Sequence, residues 1–301
     1  VAPEQCLPLF AAKDLQALIG TTFEVLGAAV QCEFASAFYL NAGDRLLKQR
    51  DSRGREYGPE HMRRYAELTP ALPLALANPG ITLLTTRESL PSHSQALRRT
   101  AFYLEIMQVE GWRHAVALCF WGQPGNVSPV FVASVNRVDG QRDFAAREID
   151  TLRRLHPFID SAINRVYESD AAKTIRDGMA MAVNDGTGGF AILDWNLDVV
   201  QANSAARQLR ALWTDHRGRE GRKTGSVEWH LPSTLVAQCR DLQREWRSRL
   251  RVTPDATGLG LVRHLEHPRI HGLTASITLV CPSTPGLADP TFLVEFSQRL
   301  N

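Results

Sequence analysis

The sequence predicts an α+β protein built as two tandem antiparallel-sheet domains joined by a long helix. Three observations lead there. Short apolar and aromatic segments bounded by turn residues recur in both halves of the chain, as strands do. Between them lie stretches with apolar residues three and four positions apart, as on one face of a helix. One such stripe runs on from Phe144 to Glu168 and is followed by the glycine-rich break Asp185-Gly186-Thr187-Gly188-Gly189. At 301 residues the chain has room for two domains of ~100–200 residues each, and the expected division is 1–168 and 169–301.

The first domain opens on a helix over Lys13–Val30, with Leu15, Leu18, Ile19, Phe23, Leu26 and Ala29 on one face. Phe34–Leu40 reads as a strand and Asn41–Asp44 as a turn. The polar stretch Arg45–Gly58 is expected to be a loop or ragged hairpin. Pro59, suited to a first helical turn, opens a helix through Leu68 that Thr69-Pro70 ends. Ile81–Leu84 is a short strand. A helix within Ser92–Gly111 should end at Gly111 as a C-cap. Two strands follow, His114–Trp121 and Pro129–Asn136, with a turn over Gly122–Ser128.

Asp143 is placed to cap the long helix that starts at Phe144. Its stripe is Ile149, Leu152, Leu155, Ile159, Ile163 and Val166, and from Phe144 to Glu168 the helix would span ~37 Å at ~1.5 Å per residue. Pro157 falls inside it and is expected to kink the helix or start a new one. A second helical piece, Ala171–Val183, follows. The stripe either packs on its own domain or forms a seam with a second copy. Its length favours a homodimer, one that a charge at Ile163 would dissociate.

The second domain reads as strands Phe190–Asp194 and Asp198–Gln201 around a tight Trp195–Leu197 turn, then a helix capped by Asn203 and ending near Trp213. Thr214–Gly225 is a basic, glycine-rich loop, Leu231–Leu250 a helix, and Leu259–Leu265, Leu273–Cys281 and Thr291–Phe296 the closing strands. The order calls for an antiparallel sheet with helices on one face.

Composition narrows the classes. A hydrophobic share of 44% with 22% charged residues is ordinary for a globular protein, and a net charge of +2 gives no reason to expect a nucleic-acid or membrane surface. No apolar run approaches the ~20 residues of a membrane span. Ala115–Phe120 suits a buried strand instead. Cys6, Cys32, Cys119, Cys239 and Cys281 are scattered without a CxxC pair, which argues against a zinc or thioredoxin-like site and for a reducing compartment, the cytoplasm. The start at Val1 has no signal-peptide layout and suggests a trimmed chain.

The stretch Phe190-Ala-Ile-Leu-Asp194 followed by Val199-Val-Gln-Ala-Asn203-Ser-Ala-Ala206 resembles the opening of a PAS domain. Upstream, the runs Arg63–Pro70, Thr100–His114, Phe144–Glu148 and Leu155-His-Pro157 recur in the order found in the GAF-like sensory region of LuxR-type transcription regulators with a C-terminal helix-turn-helix. The resemblance covers nearly the whole chain, but the helix-turn-helix does not appear in it. It implies a ligand-sensing region, GAF-like then PAS-like. DNA contact would then belong to a C-terminal domain missing from this sequence.

The ligand-site candidates are the aromatic and apolar residues around the first sheet: Tyr39, Tyr65, Phe102, Tyr103, Met107, Trp112 and Trp121. Small-molecule pockets are mostly apolar with a few fixed polar groups, and tyrosine and tryptophan supply both. Any one of them could equally fill a core. With no clustered charge among them, the expected effector is small and partly apolar or aromatic. No cofactor, metal or membrane partner is expected. His264, His267 and His271 straddle a hairpin with Pro268 and read as a solvated turn. The arginines and lysine at 217, 219, 222 and 223, and those at 240, 244, 247, 249 and 251, read as solvated faces interleaved with acids. The glycines at 186, 188 and 189 lack the Lys-Ser/Thr of a phosphate loop and read as a hinge. Asp143 and Glu148 read as helix capping. No GxSxG or HExxH motif is present, so an enzyme is not expected. The second functional class is a GAF/PAS interaction and dimerisation module without a ligand, which would show a first domain filled solid by its own aromatics.

Overall fold

The computed structural model describes residues 3–40, 47–90, 94–122, 129–184, 188–214, 230–252, 261–281 and 289–298. The chain divides into two compact units, Val1–Ser169 and Asp170–Asn301. It is α+β, with one five-stranded antiparallel sheet in each unit among the described residues.

In the first unit, α1 (Leu7–Ala11) and α2 (Leu15–Ala29) precede the sheet. Asp14 caps α2 by accepting from the Ala17 N–H at 2.8 Å. The strands are β1 (Phe34–Leu40), β2 (Leu47–Asp51), β3 (Leu83–Thr85), β4 (His114–Phe120) and β5 (Phe131–Arg137), ordered β2-β1-β5-β4-β3. Between them lie α3 (Pro59–Leu68), α4 (Ala71–Ala77), α5 (Thr86–Ser89) and α6 (Ser94–Arg98). A π-helical turn over Tyr103–Met107 then runs into α7 (Gln108–Glu110).

Arg45–Gly58, expected to be a loop or ragged hairpin, takes the second form, with β2 on the sheet edge and a bridge from Arg50 to Glu56. Two elements differ from the sequence reading. The single helix expected within Ser92–Gly111 is broken instead. The Thr100 hydroxyl donates to Leu97 O at 2.8 Å and accepts from the Tyr103 N–H at 3.1 Å, ending one segment and capping the next. Gly111 does close that next segment, in the left-handed conformation at φ 79°. The second difference is α8: no new helix starts at Pro157, and the piece expected over Ala171–Val183 is continuous with it from Ala146 to Asn184. Pro157 is on the exposed face, where water can satisfy the carbonyl that loses its N–H partner.

The stripe of α8 is buried by the chain itself. Leu152, Leu155, Ile159, Ile163 and Val166 are all at most 1% exposed. His156 Nε2 lies 2.8 Å from the Cys119 carbonyl, and its ring stacks on Phe120 with centroids 4.5 Å apart. Arg165 Nη2 donates to the carbonyls of Leu9 and Ala12 at 3.1 and 2.7 Å. Of the two uses expected for the stripe, packing on its own domain is the one found. Ile163 is therefore not available as a seam for a second copy.

In the second unit, β6 (Gly189–Leu193), β7 (Val199–Ala202), β8 (Leu261–Glu266), β9 (Leu273–Val280) and β10 (Thr291–Gln298) are ordered β7-β6-β10-β9-β8. This repeats the strand order of the first sheet. One face packs against α9 (Ser204–Thr214) and α10 (Ser233–Val252). On the other, Ile192, Val280 and Leu293 pack with Ile175, Met179 and Ala182 from the end of α8. Asn203 does more than cap α9. Its Oδ1 accepts from the N–H groups of Ala206 (2.8 Å) and Phe190 (3.0 Å), and its Nδ2 donates to Gly188 O at 3.2 Å. A Cβ on Gly189 would collide with the backbone of Ala206, and one on Gly188 with the Phe296 carbonyl. Close packing thus demands glycine at both places, whereas Asp185–Thr187 lie outside the described residues. So do the expected turn Asn41–Asp44, most of the turn Gly122–Ser128, and the basic loop beyond Thr214 with its residues at 217, 219, 222 and 223.

Candidate functional site

A cavity of about 210 Å³ opens in the first unit between one face of the sheet and the helical segments over it. Strand alternation decides which residues form its floor, because every second side chain points to the same face. Ser36 pairs with Ser134, Ser134 with Ala117, and Ala117 with Leu84, giving one row across β1, β5, β4 and β3. The next row is Phe38, Val132 and Cys119. Serines and alanines at the centre of the floor leave the space that larger residues would fill. The roof is set by α3 with Tyr65 and Thr69, by α4 with Ala71 and Ala75, and by Phe102 and Trp112. The rings form a chain: Phe38–Tyr65 at 4.9 Å, Tyr65–Phe102 at 5.8 Å and Phe102–Trp112 at 6.0 Å between centroids.

Among the described residues, one carboxylate lines this cavity. Glu110 is 2% exposed. Its Oε2 accepts from Gln49 Nε2 and from the Trp112 indole N–H, both at 3.1 Å, and its Oε1 lies 2.9 Å from His61 Nε2. His61 stacks on Tyr57 at 4.7 Å. Behind this group, Asp51 accepts from Arg53 Nε at 2.8 Å, and Arg53 also donates to the Glu110 carbonyl at 3.1 Å. Burial and the Glu110 charge push up both phenols nearby, Tyr65 and Tyr57, the latter to about 12. Both remain neutral donors at ordinary pH. Burial likewise pushes the Cys119 thiol up to about 12, so it sits in the floor as an uncharged packing group.

Of the seven residues expected to bind ligand, Tyr65, Phe102 and Trp112 line the cavity. Tyr39 does not. It neighbours Phe38 in β1 and so points to the opposite face, where Gln16 of α2 hydrogen-bonds it. Met107 is fully buried behind the cavity in a cluster with Leu97, Phe102 and Ile106, and Tyr103 packs against the same cluster. Trp121 is occupied elsewhere, its indole N–H donating to Ile81 O at 2.8 Å. Glu110, Phe38 and the small floor residues escaped the sequence reading. The alternation Ser36–Phe38 against Ser134–Asn136 is a signal that would have marked the floor.

The remaining candidates are structural. His267 is buried, and its Nδ1 accepts from the N–H groups of Arg269 and Ile270 at 3.1 and 2.8 Å, shaping the β8–β9 turn. On α10, Arg244 pairs with Asp241, while Arg247 lies over the Trp195 ring at 5.4 Å. Glu148 accepts from the Ala145 N–H at 2.8 Å, the capping expected of it, whereas α8 starts at Ala146 and Asp143 accepts from the Phe144 N–H at 2.8 Å ahead of the helix.

No protein-family model matches the chain, and no curated protein matches its sequence. Solved structures with a similar arrangement include the VqsR LBD domain from Pseudomonas aeruginosa, at 14% identity and a TM-score of 0.42, over 53% of this chain and 92% of that one. Others are the Stigmatella aurantiaca phytochrome photosensory core module, at 12% identity and 0.40 over 72% of this chain and 52% of that one, and the bacteriophytochrome RpBphP3 from R. palustris, at 11% and 0.41 over 99% and 61%.

Proposed function

We propose that the first unit is the ligand-sensing region of a bacterial LuxR-type transcription regulator, GAF-like and followed by a PAS-like unit. A small, partly apolar molecule occupies the cavity under Tyr65, Phe102 and Trp112. The observation that carries this reading is the cavity itself: space bounded by aromatic rings and small floor residues, with one fixed carboxylate in its wall. Ligand sites have this makeup. A pure dimerisation module would call for a core filled by those same rings.

In this reading, ligand contact with the roof biases α8, whose N-terminal half packs on the same sheet through His156 and Phe120. The helix then carries the bias into the second unit and on to a DNA-binding domain. A coupling of ~1–3 kcal/mol is enough for such a relay. The protein acts in the cytoplasm as a sensor and not as an enzyme. The test is ligand-induced stabilisation of the full chain, measured with a library of small aromatic and apolar compounds. Hits should raise the melting temperature of the wild type and lose that effect in Ala117→Leu, which fills the floor without removing a contact. Stabilisation that persists in Ala117→Leu, or no stabilisation by any compound, would overturn the reading.

A further inference from the structure

Two buried carboxylates, Glu110 in the cavity wall and Asp51 behind it, are both in residues that Arg53 bonds, and they are treated differently. Asp51 has a guanidinium, with Arg53 Nε at 2.8 Å and further backbone N–H donors from Arg53 and Arg55 at 3.0 Å. Glu110, equally buried, has an amide, an indole and an imidazole. Among the described residues, no lysine or arginine nitrogen pairs with its carboxylate, and His61 is the basic side chain within reach. The amide and the indole are neutral donors, which satisfy a buried carboxylate without cancelling its charge. A carboxylate offers about four acceptor positions; three are taken, two on Oε2 and one on Oε1. The aromatic chain from Phe38 to Trp112 adds ring faces, which attract cations.

Resting on the reading of the cavity as a ligand site, we propose that its ligand is a small amine whose ammonium head pairs with Glu110 and whose apolar or aromatic body lies among Tyr65, Phe102 and Trp112. The head would supply the permanent positive charge that Asp51 has in Arg53 and that no described lysine or arginine gives the Glu110 carboxylate. The body would cover the alanine and serine floor.

Three probes of one shape and different charge test this on the full chain by calorimetric titration: 2-phenylethylammonium, 2-phenylethanol and 3-phenylpropionate. The ammonium should bind about tenfold more tightly than the alcohol, and the propionate should bind most weakly of the three. In Glu110→Gln the preference for the ammonium over the alcohol should vanish. The wild-type ranking decides the matter even if that variant does not fold. Binding of the alcohol as tight as that of the ammonium, or tighter binding of the propionate, overturns the amine inference and leaves the cavity standing as a ligand site. Binding of none of the three overturns the inference together with the site.

Discussion

Gln49 Nε2 donates to Glu110 Oε2 at 3.1 Å, a buried bond between residues 61 positions apart. It ties the edge strand β2 to the end of α7, and so fixes one end of the cavity. Both side chains are almost fully buried, at 3% and 2% exposure. Removing one partner of such a bond exposes the other to an unmet charge or dipole. Gln49→Leu should therefore destabilise the first unit by about 1–3 kcal/mol, read as a lower urea midpoint with an unchanged second-unit transition.

The buried stripe of α8 leads to a different expectation from the one its spacing suggests. Ile163 is 1% exposed within a single chain. Ile163→Asp would place an unpaired carboxylate in that core, at a cost of several kcal/mol. Circular dichroism should show loss of the first unit's structure. Sedimentation of a folded Ile163→Asp chain at half the wild-type mass would instead restore the seam.

Glu148 links acid sensitivity to the start of α8. Hydrogen bonds from Arg142, from the nearly buried Arg137 and from the Ala145 N–H hold its carboxyl at about 2, against the ordinary 4.5. A depressed folded value stabilises the folded state above the unfolded value. That contribution is complete above 4.5 and is lost as pH falls toward about 2. Glu148→Gln should cost about 1–3 kcal/mol at neutral pH, and the gap from wild type in thermal melts should close across that acid window.

Gly189 is held by shape. A methyl group there meets the Ala206 backbone at the start of α9. Gly189→Ala should cost the second unit about 1–3 kcal/mol and leave the first unit's melting unchanged, a split that calorimetry on the full chain resolves.

Much of this architecture was legible in the chain because its signals are local. Pro59 and Thr69-Pro70 bracket α3 at the bounds found, and Asn203 announces α9. What was hidden depends on distance or on face. The buried residues of β2 among those described are Gln49 and Asp51, polar side chains that give no apolar alternation over Lys48–Asp51. Glu110 looks like any acidic residue near a helix end until β2 and α3 bring Gln49 and His61 to it. The chemistry of Tyr39 makes it a candidate, although strand parity with Ser36 sets its neighbour Phe38 in the cavity. Pro157 suggests a kink or a new start because the exposure of its helix face is not written in the sequence.

The most direct measurement is the indole N–H spectrum of the full chain, isotopically labelled, during titration with 2-phenylethanol. Of its six tryptophans, Trp112 has its indole N–H on Glu110 at the cavity wall. The expected result is a saturating shift of the Trp112 resonance, with those of Trp195 and Trp246 in the second unit unmoved. A silent Trp112, or equal shifts at all the indoles, would contradict a ligand site in this cavity.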